Sequence, residues 1–193
     1  MIIIRINNDG SMNDLDLKLT QKNLLSQLKK NINLIYRNYN DNINIQSIIK
    51  IRNYCKKTNR KFYLSNNFKL AFKLNLSGVY IPSFNKKINF IGKSLKTKFE
   101  IIGSAHNIKE IKIKQKQGCE MIFLSPLFKT IKKNNYLGII KFNLITLNQK
   151  TNFIALGGIN AGNFRKVYNT KSVGISGIRW LKKNGPRKIL RPF

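Results

Sequence analysis

The stretch Phe153-Ile-Ala-Leu-Gly-Gly-Ile159, followed one unit later by Val173-Gly-Ile-Ser-Gly-Ile178, decides the fold. Each is a short apolar run of the kind expected for a strand buried on both faces, and each runs into glycine. Glycine lets the backbone approach a ligand closely, and bare N–H groups in such a turn cradle an anion. A simple tight turn before a helix at Asn160 would read the same way if the first stretch stood alone. Two glycine-bearing strand ends in succession instead form the two-loop phosphate cup found at the end of a barrel, with Ser176 as a hydroxyl donor.

Working outward, six similar runs precede these two: Ile2–Ile6, Asn33–Tyr36, Lys61–Leu64, Gly78–Ile81, Phe99–Gly103 and Met121–Leu124. Most stop at Gly, Ser, Asn or Pro, as strands do. The segments between them show helical spacing. Ile45, Ile48, Ile49 and Tyr54 make one apolar stripe, and Phe68, Ala71, Phe72 and Leu74 another. A third helix takes in Ile108, Ile111 and Lys112 and stops before Gly118, a C-terminal cap.

Eight strands alternating with crossovers in 193 residues predict a small (β/α)8 TIM barrel, a single domain over residues 1–193. Its first unit is short or degenerate, because Asn7–Leu19 has no helical face. An open doubly wound sheet is the competing α/β architecture. The barrel is favoured by polar or glycine residues after the carboxyl ends of the strands: Arg37, Ser65-Asn66, Pro82-Ser83, Ser104–His106, Ser125-Pro126 and Gly157-Gly158.

Lys plus Arg number 37 against 7 Asp plus Glu, a net charge of +30. Such a charge invites a nucleic-acid partner, since polybasic surfaces release counterions from phosphate backbones. The lysines are spread through nearly every segment, and no clustered aromatic-plus-basic surface of the kind that stacks bases is evident. A basic RNA-binding protein is therefore the remote alternative. The charge still favours anionic ligands in any cleft. Two cysteines, Cys55 and Cys119, are too few for a disulfide scaffold, and the opening MIIIR is too short an apolar run for a signal peptide or membrane span. A cytoplasmic protein without a membrane partner is expected.

Two further segments carry chemistry. In Phe123-Leu-Ser-Pro-Leu-Phe-Lys-Thr-Ile-Lys-Lys133 a strand ends at Ser125-Pro126, and the following loop presents Thr130, Lys132 and Lys133. A hydroxyl and ammonium groups on such a loop suit a phosphate or diphosphate; a solvated lysine run would look alike. In Ile102-Gly-Ser-Ala-His-Asn107 the chain's one histidine, His106, falls at a strand's carboxyl end beside Ser104. There an imidazole serves as acid or base near pH 7, or as a hydrogen-bonded structural group.

The order of these motifs resembles the thiamine-phosphate synthase/TenI family: Gly103-Ser-Ala-His106, Ser125-Pro-Leu-Phe-Lys-Thr-Ile-Lys-Lys133, Leu137-Gly138, Ala155-Leu-Gly-Gly-Ile159 and Val173-Gly-Ile-Ser176. The resemblance runs from about Asn33 to Ile178 and implies a (β/α)8 barrel. It also implies an enzyme acting on phosphorylated precursors of thiamine. An aminopyrimidine diphosphate loses pyrophosphate with the help of Mg²⁺, and a thiazole phosphate nitrogen captures the pyrimidine cation. By motif, Arg37, Thr130 and Lys133 match the groups around the leaving pyrophosphate. Gly157, Gly158 and the Gly174-Ile175-Ser176 backbone match the thiazole-phosphate cup, and Ser65 and Ser104 join the substrate-binding set.

The sequence departs from the family where the metal would bind. Its second-strand motif Arg-x-Lys is Arg37-Asn-Tyr39, and its Asn-Asp pair is Ser65-Asn66. Its strand-four motif Gly-x-His-x-Gly-Gln-x-Asp is Gly78-Val-Tyr-Ile-Pro-Ser-Phe-Asn85. Both metal-binding Asp positions, at Asn66 and Asn85, are thus amides, poorer ligands for Mg²⁺ than carboxylates. The metal would then arrive on the diphosphate, with lysines supplying the missing charge. Loss of carboxylates with retention of His106 also matches the TenI branch, thiazole tautomerases that need a proton shuttle and no metal. A barrel that binds a phosphorylated precursor without turnover is the third outcome.

Overall fold

The computed structural model describes residues 2–7, 32–37, 43–88, 99–131 and 134–177. The strands are β1 (Ile2–Asn7), β2 (Ile32–Arg37), β3 (Phe62–Ser65), β4 (Gly78–Ile81), β5 (Glu100–Ala105), β6 (Met121–Leu124), β7 (Asn152–Leu156) and β8 (Gly174–Gly177). Helices α1 (Ile45–Lys57), α2 (Phe68–Lys73), α3 (Ile108–Lys116) and α4 (Gly138–Thr146) follow β2, β3, β5 and β6. All pairings are parallel and sequential, and β8 pairs back onto β1 through Ile2↔Ile175, Ile3↔Ser176 and Ile4↔Gly177, so the sheet curls onto itself. The architecture is α/β and TIM-like. All eight expected strands are present within one or two residues of the ranges read from sequence; Asn7–Leu19, apart from Asn7 itself, lies outside the described residues.

Period-two alternation sorts the strand residues into two cores. Ile35, Tyr63, Tyr80, Ile102, Phe123 and Ile154 form one buried cluster inside the curl of the sheet. Their sequence neighbours Leu34, Tyr36, Leu64, Val79, Ile81, Ile101, Ile122, Leu124, Phe153 and Ala155 pack outward in the second, with Ile48, Ile51, Ala71, Ile111 and Phe142 of the helices. Burial on both faces is why strands such as β4 and β6 read as unbroken apolar runs.

The helices begin where a side-chain oxygen caps them. Asn44 accepts from the Ser47 N–H, Asn67 from Leu70 and Asn107 from Glu110, at 2.9, 3.0 and 2.9 Å. Each satisfies an N–H that lacks an intrahelical partner. α3 ends as expected before Gly118, whose φ of +76° favours glycine. Two expectations are corrected. The stripes are rotated from those read in sequence: Ile45 and Phe72 are half exposed, while Ile51 and Cys55 are buried. After β7 there is no helix at Asn160; Asn160 sits in a turn closed by Asn163, and a 3-10 turn (Phe164–Asn169) follows.

At the amino end of the strands the barrel is floored by charge. Glu100, at the start of β5, pairs with Lys61 and accepts from the Tyr63 hydroxyl at 2.6 Å. Burial, with the Glu100 carboxylate alongside, pushes the Tyr63 hydroxyl well above its usual range. Polar chemistry is therefore available at two ends, but only the carboxyl end is lined by the motifs above.

Candidate active site

Two residues beyond the interior cluster, the same strand faces turn polar. Arg37 follows Ile35, Ser65 follows Tyr63, Ser104 follows Ile102 and Ser125 follows Phe123; Ser176 lies in register with Leu156. The alternation of the strands therefore places an arginine and four serines around the carboxyl mouth. Ser65, Ser104, Ser125 and Ser176 are all buried and Arg37 half-buried. The Tyr80 hydroxyl donates to Ser104 Oγ at 2.8 Å. Ser65 Oγ is sealed from solvent with no hydrogen-bond partner among the described residues, an uncompensated cost for a buried hydroxyl.

Asn66 and Asn85, far apart in sequence, come together here. Asn66 holds φ +59° just past β3, its N–H bonded to Tyr80 O at 2.8 Å, and its Oδ1 accepts from Asn85 Nδ2 at 2.5 Å. Asn85 Oδ1 in turn accepts from the Lys87 N–H at 2.9 Å. The fold brings both positions to one place, but the donor set does not fit a resident Mg²⁺. Each amide oxygen is already taken by a protein N–H, and neither carries the charge a hard dication prefers. Among the described residues no group of three His, Cys, Asp or Glu is placed to hold a metal.

His106 follows β5 and is exposed. Its Nδ1 lies 2.8 Å from the Ser125 carbonyl and 3.1 Å from Ser125 Oγ, beside the cis Ser125-Pro126 bond. A carbonyl only accepts, so Nδ1 carries the proton and a neutral ring keeps its lone pair on Nε2. The His106 N–H also donates to Glu110 Oε2 at 2.8 Å, which ties the residue to the first turn of α3.

Gly157 and Gly158 end β7 with φ of +93° and +71°. Their N–H groups donate to nothing among the described residues. The fold gives glycine a steric reason at both positions. A Cβ on Gly157 would stand 2.9 Å from Pro126 Cα, and one on Gly158 only 2.3 Å from Phe128 O. It is the chain's own 126–129 segment that needs the room, fastened by the Leu127 and Phe128 N–H groups to the carbonyls of Leu156 and Gly157 at 2.8 and 3.0 Å. This lays the loop bearing half-buried Thr130 against the end of β7. Gly174 and Ile175 pair with Ile154 and Ala155, below the rim, so Ser176 is the member of that trio level with the mouth. Lys132 and Lys133 lie outside the described residues.

Sequence reasoning missed Tyr80, Ser125 as the partner of His106, and a buried lysine, Lys114. The helical period offered a signal for the last: Lys114 is three residues past buried Ile111, on the inward face of α3.

A parallel sheet curled on itself, alternating with helices and carrying backbone N–H groups and hydroxyls at the carboxyl ends of its strands, defines the TIM-like α/β class. The model of the thiamine monophosphate synthase family matches residues 9–181, and the chain belongs to that family. The thiamine-phosphate synthase of Prochlorococcus marinus (strain SARG) is 32% identical over 163 residues, 81% of this chain and 46% of that protein. Its counterpart in Prochlorococcus marinus subsp. pastoris is 32% identical over 165 residues, 84% of this chain and again 46% of the relative. The chain thus spans about half the length of these curated relatives. Among solved structures, thiamine phosphate pyrophosphorylase from Pyrococcus furiosus superposes with a TM-score of 0.72 at 17% identity, covering 97% of this chain and 90% of that one.

Proposed function

We propose that the chain couples a hydroxymethylpyrimidine diphosphate to a thiazole phosphate, releasing pyrophosphate. The observation that carries this reading is the mouth itself. The N–H groups of Gly157 and Gly158, which donate to nothing among the described residues, supply with Ser176 donors for a phosphate monoester. Arg37 and Ser65, whose hydroxyl has no partner among the described residues, lie on strands β2 and β3. In the reaction the bond from the pyrimidine methylene carbon to the diphosphate oxygen breaks, and pyrophosphate leaves with the electron pair. The thiazole nitrogen lone pair then forms the new C–N bond, leaving a positively charged thiazolium. Arg37 and Lys133 offset the charge of the departing pyrophosphate, and the Thr130 hydroxyl donates a hydrogen bond to it. The Asn66–Asn85 amides and Ser104 contact the pyrimidine end, while Gly174 and Ile175 support the thiazole-phosphate cup.

A small (β/α)8 barrel with a short or degenerate first unit, a single domain over residues 1–193 and a cytoplasmic location belong to the same proposal. It is supported by the strand order and by the family; among the described residues no helix is long and apolar enough to cross a membrane. Purified protein supplied with both precursors and Mg²⁺ should form thiamine phosphate. Absence of product beside a working control enzyme refutes the coupling activity.

One observation favours a second reading. The Nδ1 bond to the Ser125 carbonyl leaves Nε2 of His106 as a base at the mouth, the arrangement a thiazole tautomerase requires. His106→Ala should then abolish tautomerisation of a carboxylated thiazole phosphate, and unchanged turnover removes the idea.

A further inference from the structure

Lys114 has no solvent exposure at all, although it belongs to a helix whose other lysines can reach water. Its stem passes over Gly103 of β5: a Cβ there would stand 2.8 Å from Lys114 Cδ, so glycine at 103 opens the passage. Gly103 is in register with Ile81, and the ammonium emerges beyond the end of β4. Lys114 Nζ donates to the Asn85 carbonyl at 2.7 Å and to Gln117 Oε1 at 2.8 Å. Gln117, also fully buried, donates through Nε2 to the carbonyls of Asn85 and Lys87 at 2.9 and 2.8 Å. Two side chains at the end of α3 thus hold three contacts on the loop whose Asn85 amide is paired with Asn66.

We infer that Lys114 and Gln117 are positioning residues: they lock the loop after β4 so that the Asn66–Asn85 amide pair stays formed at the mouth, and binding of the diphosphate-bearing substrate depends on that lock. The inference deepens the proposed function and rests on its placement of the pyrimidine diphosphate beside Asn85. The energetics argue against a purely structural purpose. Burying an ammonium in place of an apolar side chain costs folding stability unless its bonds return it, and burial lowers this amine to about 8. An apolar residue would fill the space over Gly103 more cheaply, but it would leave the Asn85 carbonyl to Gln117 alone.

The test uses the full chain with Lys114→Met and Gln117→Leu, singly and together. Amide hydrogen exchange is followed at Asn85 and Lys87, and steady-state kinetics are measured with each substrate varied. The expected result is exchange about tenfold faster at the Lys87 N–H, with KM for the pyrimidine diphosphate raised about tenfold. KM for the thiazole phosphate should change less than twofold, and the double variant should lose little more than either single. A merely structural role would lower the melting temperature and disturb both substrates together, and that overturns the inference. Unchanged exchange at Lys87 overturns it as well. Should the wild-type chain form no thiamine phosphate, the proposed function fails by itself; accelerated exchange at Lys87 together with weakened binding of inorganic pyrophosphate still upholds the lock.

Discussion

Replacing Gly158 with alanine tests how the loop that follows β6 is held. Gly158 and Gly138 have nearly the same positive φ, +71° and +69°, so an alanine at either suffers left-handed strain of about 1 kcal/mol. Their surroundings differ. Around Gly138 nothing lies within 4 Å of a new Cβ, whereas at Gly158 it would meet Phe128 O at 2.3 Å, Phe128 C at 2.5 Å and Lys129 O at 2.6 Å. These are main-chain atoms and cannot rotate aside, so the segment must shift, at a further cost of about 1–3 kcal/mol by analogy with overpacked cores. Gly158→Ala should therefore lose about 2–4 kcal/mol of unfolding free energy and Gly138→Ala about 1 kcal/mol, measured by urea denaturation with a common m-value. The shift should also carry Thr130 away from β7 and weaken binding of inorganic phosphate. Equal losses at the two glycines would refute the reasoning, since strain alone would then account for both.

Three further outcomes follow from the site. Lys114 binds its proton more weakly folded, at about 8, than unfolded, at 10.5. Between those values the unfolded chain holds more protons, so this group's contribution to stability rises with pH, by up to about 3 kcal/mol; urea midpoints across pH 7.5–10 should climb relative to Lys114→Met, and parallel curves would contradict the assignment. Converting Asn66 and Asn85 together to Asp replaces a donor–acceptor contact with two facing carboxylates. The double variant should melt several degrees lower in EDTA, recover with millimolar Mg²⁺ and gain a metal-dependent rate, while no Mg²⁺ effect on its melting would show that the pocket cannot house a cation. Tyr80→Phe removes the donor to buried Ser104 Oγ and should cost about 1 kcal/mol in thermal or urea unfolding, with a loss below a few tenths arguing that the hydroxyl is satisfied elsewhere.

Strands such as Gly78–Ile81 and Met121–Leu124 were legible because they are flanked by packed layers on both sides and are apolar throughout. Their carboxyl ends were legible for the same reason, since polarity there breaks the run. Helical faces were read less well. α2 has six residues, fewer than two turns, and one buried side chain, Ala71, so its periodicity had little to act on. The site divides along the same line. Positions at strand ends such as Arg37, Ser65 and Ser104 follow from the alternation alone. The Asn66–Asn85 contact and the Lys114 lock join segments 19 and 29 residues apart, and no local pattern encodes such a meeting. Composition hid the lysine further: in a chain with 37 basic residues, one that never meets water looks like all the others.

Ile35, Tyr63, Tyr80, Ile102, Phe123 and Ile154 pack between the two ends of the strands, with Glu100, Lys61 and the Tyr63 hydroxyl at the end opposite Arg37, Ser65 and Ser104. Anything seated among those three residues rests on aromatic and branched side chains, a full layer away from the Glu100 carboxylate.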